Sequence, residues 1–197
     1  MPIPWLKRIR QTGQLTVHNK AGAWTKEVAA AIVTFNNLGF GVQLVNESVE
    51  KSANIVVKLS DGSETYQYYG DSIIVKFDAT KLHGKARTLV DMKRKEIFFA
   101  AVFLPGNVPK VTAKQKEVVA VHELIHAAGL NGMLPSGADA PNDDHASEGI
   151  MFGHMKEDGD GLLEYLADKG AQSMPPIRVS SKTMCDLRML WGAEVCK

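Results

Sequence analysis

The sequence predicts an α+β fold: a mixed, twisted sheet with two main helices packed on it, followed by a smaller irregular C-terminal lobe ending in a helix. Three observations carry this. An apolar period of about 3.6 residues lies near the start, a run of short β-branched segments follows it, and a second, well-capped helix comes after those segments.

Taken in order, residues 24–38 set Trp24, Val28, Ala31, Ile32 and Phe35 on one helical face, and Gly39 and Gly41 end the helix. Residues 42–45, 54–59 and 72–77 read as strands because they are short, β-branched and separated by Gly, Ser, Asn and Asp. After a turn near His83 and Gly84, residues 87–92 and 96–104 flank the charged tip Lys93, Arg94, Lys95 as a hairpin, and Pro105 and Gly106 stop its second arm. Thr112 opens the second helix as an N-cap, with Gln115 completing a capping-box pattern. That helix runs to Ala128, and Gly129 sits where a glycine C-cap belongs. Residues 130–147 read as an irregular loop, 162–167 as a short helix and 174–177 as a proline connector, and a last helix runs from Ser181 to near Gly192. The expected organisation is one domain, with residues 1–20 as an N-terminal extension, 21–129 as an upper lobe and 130–197 as a lower lobe.

Composition narrows the function classes. The hydrophobic fraction of 45% and charged fraction of 23% over 197 residues are those of an ordinary folded domain, so disorder is not expected. A net charge of +1 offers no electrostatic case for a nucleic-acid or anionic-membrane partner. Cys185 and Cys196 form no disulfide framework, and the sequence leaves open whether they pair. No segment has the length and apolarity of a signal peptide or a bilayer span. The expectation is a protein that stays in the cytoplasm, or is carried in a particle such as a phage virion.

The second helix contains His122, Glu123, Leu124, Ile125, His126, the pattern H-E-x-x-H. Residues four apart lie one turn above each other, so both imidazoles face one point and can share a zinc ion. Glu123 is displaced around the helix, where a carboxylate can take a proton from a metal-bound water attacking a carbonyl. The candidate set is therefore His122 and His126 on zinc, with Glu123 as general base.

Gly129 extends the pattern to H-E-x-x-H-x-x-G, and here the sequence resembles the metzincin clan of zinc peptidases, matrixins in particular. The resemblance implies a zincin-like fold with a cleft between two lobes, a protein or peptide substrate, and a third histidine ligand three residues after the glycine. That position is Gly132. The next histidine is His145, followed six residues later by Met151, which looks like the metzincin ligand and methionine turn with an insertion over residues 130–144. His154, Asp144 and Asp143 stay open as alternatives. Residues 97–106, ending in Pro105 and Gly106, are similar to the matrixin edge strand, which implies that extended substrate adds along residues 97–103. Residues 179–192 are similar to the final matrixin helix.

Other readings compete. A gluzincin arrangement takes its third ligand from a downstream carboxylate, Glu164. A structural or virion-associated protein could keep the fold without the activity, and a peptidoglycan cross-bridge hydrolase would cleave an amide by the same chemistry. His18 and His83 read as solvated histidines in turn-like surroundings. The acidic residues Asp139, Asp143 and Asp144 match no EF-hand spacing.

Overall fold

The computed structural model describes residues 3–130, 179 and 181–193. In chain order it contains α1 (Lys7–Arg10), β1 (Gln14–Lys20), α2 (Thr25–Leu38), β2 (Gln43–Asn46), β3 (Ile55–Ser60), β4 (Ser63–Tyr68) and β5 (Asp71–Lys76). These are followed by β6 (Lys85–Asp91), β7 (Glu96–Pro105), α3 (Ala113–Ala127) and α4 (Ser181–Leu190). The α+β class expected from the sequence is the class observed. No described helix is long and apolar enough to cross a membrane.

The main sheet has the order β2-β1-β3-β7-β6, with β6 antiparallel to β7 and the other pairs parallel, so it is mixed as expected. One face carries α2 and α3: Val17, Ile55, Val57, Ala100, Val102 and Leu104 share a core with Phe35 and Leu124. Against the other face lies the β4–β5 hairpin, where Val56, Ala101 and Phe103 cluster with Ile73 and Val75. Tyr68 stacks on Phe99 with ring centroids 3.7 Å apart. Tyr69 and Gly70 turn that hairpin with φ of 46° and 95°, the two positive values of a tight two-residue β-turn.

Two expectations are corrected, and one strand was not anticipated. Residues 97–103 are not an edge strand: β7 lies between β3 and β6, and the strand that ends the sheet on that side is β6. The reason is visible in the sequence, since a nearly continuous apolar run marks a strand covered on both faces. A peptide adding to this end of the sheet would meet β6. Residues 1–20 are not an appendage either: β1 pairs on both sides inside the sheet, and Trp5 is fully buried beside Ile97. Only Leu15 and Val17 mark β1 as apolar, too few for a periodicity to register. Strand β4 escaped for a similar reason, because its outward residues are polar and its inward ones are Glu64 and two tyrosines.

Within β7, Leu89 pairs with Phe99 but Val90 with Ile97, leaving Phe98 as the extra residue of a bulge. Phe98 and Phe99 consequently both pack on the hairpin side, while Ile97 joins the helix side near Trp5. On α4, Cys185 is disulfide-bonded, and Cys196 is the only other cysteine in the chain. The expected short helix at 162–167, together with His145, Met151, His154, Asp143, Asp144 and Glu164, lies outside the described residues.

Candidate metal centre

Helix α3 is held at its start by its own residues. The Gln115 backbone N–H donates to Thr112 Oγ1 at 3.3 Å, and the Thr112 N–H donates to Gln115 Oε1 at 3.0 Å, the reciprocal capping box expected there. Its end is held from elsewhere. The last carbonyls of a helix have no partner within it. Here the Trp5 indole donates to Ala127 O at 3.0 Å, and the Trp191 indole donates to Ala128 O at 3.1 Å. Ile3 N–H donates to Gly129 O at 2.9 Å. Gly129 has φ of +131°, and a Cβ there would meet Leu190 Cδ1 at 2.8 Å and Ile3 O at 2.9 Å, so both backbone conformation and space require glycine.

Between these ends the structure brings His122 and His126 together. Their Nε2 atoms are 3.2 Å apart, with ring centroids at 4.8 Å and planes at 70°. The His126 Nδ1 lies 2.7 Å from the Leu130 carbonyl, an acceptor only, so Nδ1 carries the proton and Nε2 presents its lone pair. That is the tautomer a metal ligand needs, oriented by a carbonyl as ligating histidines commonly are. Two nitrogens 3.2 Å apart, each about 2.0–2.1 Å from one zinc ion, subtend roughly 100–105° at the metal, near the tetrahedral angle. The pair thus fits two positions of a zinc site. Among the described residues no group of three or more His, Cys, Asp or Glu gathers at one point, and the candidates for a third ligand all lie outside them.

Glu123 points elsewhere on the helix and is 5% exposed. Burial pushes its carboxyl up to about 8, opposed by the backbone N–H groups of Ala86 and Gly84 and by the charges of Lys85 and Arg87. The Glu123 side chain lies directly against Gly84, where a Cβ would stand 2.5 Å from its Cγ. These contacts at the start of β6 were not legible in the sequence, which marked Gly84 only as a turn residue. Backbone donors leave no trace in residue identity.

His18 and His83 are apart from this centre; His83 lies in the turn segment before β6 as expected, whereas His18 is in a strand. His18 lies in β1 with Nδ1 3.0 Å from Glu47 O. His83 sits edge-on to Phe77 with Nε2 3.0 Å from Asp78 O, and burial lowers its pKa. No protein-family model matches the chain, and no curated protein matches it.

Proposed function

We propose that the chain is a zinc metallopeptidase, matrixin-like within the metzincin clan, with a zincin-like fold whose cleft runs between the lobes. The observation that carries this reading is the convergence of His122 and His126 Nε2 at 3.2 Å, with the His126 tautomer set for ligation. His122 and His126 hold the metal, and His145 supplies the third ligand after the insertion at residues 130–144. Bound zinc supplies Lewis acidity toward a peptide carbonyl and toward water.

The chain's own part is proton handling. Glu123 accepts the proton of the attacking water and returns it to the leaving amine, the task that a carboxylate placed one residue from the first ligand suits. A site with only a structural metal has no use for a base adjacent to its ligands.

The test is elemental analysis for zinc, combined with casein cleavage with and without chelator. Glu123→Gln is expected to keep its zinc and lose on the order of 10²-fold or more in rate. A variant that cleaves casein at the wild-type rate would remove the assignment. Zinc retention in His145→Ala, His154→Ala and Glu164→Ala then identifies the third ligand: loss confined to Glu164→Ala moves the protein to the gluzincin arrangement.

A further inference from the structure

We infer that residues 84–86 at the start of β6 form a backbone cradle that positions the Glu123 carboxylate, and that Gly84 is glycine for that purpose; the inference rests on the metallopeptidase reading above. Two observations lead to it, the contact of position 84 with Glu123 and an electrostatic effect beside it. The backbone N–H groups of Gly84 and Ala86 both act on the Glu123 carboxyl in the direction that favours its charged form. A Cβ at position 84 would lie 2.5 Å from Glu123 Cγ, closer than a real Cβ approaches, with Cδ at 3.0 Å and Oε1 at 3.1 Å also tight.

Glycine usually stands where the backbone needs a positive φ. Gly84 is not among the residues of this chain with positive φ. Its backbone conformation is therefore open to any residue, and what the missing side chain provides at this position is room for Glu123. The neighbouring element ties the two ends of the contact together: α3 packs against both β6 and β7. Glu123 thus reaches the cradle from a helix whose ends are independently held.

A long carboxylate side chain has three rotatable bonds, and an unrestrained one samples many positions. Two N–H donors to a carboxylate are charge-assisted bonds, which fix both direction and distance when the charge is present. Gly84 is accordingly a positioning residue: it touches neither metal nor substrate and acts through Glu123. Displacing a catalytic group by about 1 Å can cost on the order of 10²-fold in rate.

Gly84→Ala is expected to retain zinc at the wild-type ratio and lower kcat on a fluorogenic peptide about 10–100-fold, with KM changed less than about threefold. A residue that merely supported the fold would lower zinc content and melting temperature together instead. Amide exchange read by NMR provides a second measure that needs no activity. The Gly84 and Ala86 amides should exchange at least about tenfold faster in Glu123→Ala than in the wild type, while the Val102 amide in β7 keeps its rate. Unchanged exchange at Gly84 and Ala86 would overturn the cradle, as would a wild-type kcat in Gly84→Ala alongside an inactive Glu123→Gln. If Glu123→Gln itself keeps full activity, the metallopeptidase reading fails, and the exchange measurement still decides whether the cradle exists.

Discussion

The two ends of α3 are held by opposite means. At the start, Thr112 and Gln115 cap each other from three residues apart, and nothing else is required. At the other end, next to His126, the orphan carbonyls of Ala127 and Ala128 are satisfied by Trp5 and Trp191, which are 122 and 63 residues away in sequence. The chemically inert end is local, whereas the histidine end depends on the N-terminal segment and on α4 docking correctly. The lesson is that the placement of the two histidines is coupled to tertiary assembly at one end of the helix only.

The largest effect that sharpens this contrast comes from Glu123, between the two ends. Its carboxyl keeps its proton up to about 8 in the fold but only to its ordinary value of 4.5 when unfolded. It therefore contributes stability to the metal-free chain that is full below about 4.5 and is lost as pH rises through about 8, at up to roughly 1.4 kcal/mol per pH unit. Denaturant titrations of metal-free wild type and Glu123→Gln across pH 5–9 should diverge in that window, with the wild type falling more steeply. Parallel curves would show that Glu123 is not buried as described.

Next comes Gly129→Ala, which combines a strained φ with contacts on Leu190 and Ile3 and should cost roughly 2–4 kcal/mol. Because Leu130 O orients His126 from the adjacent residue, zinc affinity should fall with stability. Trp5→Phe and Trp191→Phe each leave a buried carbonyl without its donor, worth about 1–3 kcal/mol, again with weaker zinc retention in mild chelator. Thr112→Ala should cost only about 1 kcal/mol by denaturant melt and leave zinc retention unchanged. If Thr112→Ala released zinc as readily as Trp191→Phe, the asymmetry between the two ends would not hold.

The same asymmetry explains what could be read in advance. His122, Glu123 and His126 were legible because residues one and four apart on a helix have a fixed relation that needs no knowledge of the rest of the fold. The capping box and the glycine after the helix were legible for the same local reason. The β6–β7 hairpin was legible too, since its charged tip separates two apolar arms.

Tertiary structure alone decided the rest. That β7 is interior and β6 is the edge depends on strand pairing, and pairing joins segments whose separation in sequence carries no pattern. That β1 belongs to the sheet depends on neighbours β2 and β3, because its own two buried apolar residues are too few to announce it. The contact of Gly84 with Glu123 spans nearly forty positions and is made possible by a missing side chain, which reads in the sequence as an ordinary turn glycine. The sequence by itself determined that two imidazoles stand one turn apart on α3 with a carboxylate beside the first, since residue identity and helical spacing are local properties. Where Glu123 lies, and what steadies the histidines, was settled only by the packing of distant segments, because it depends on main-chain groups and empty space that residue identity does not encode.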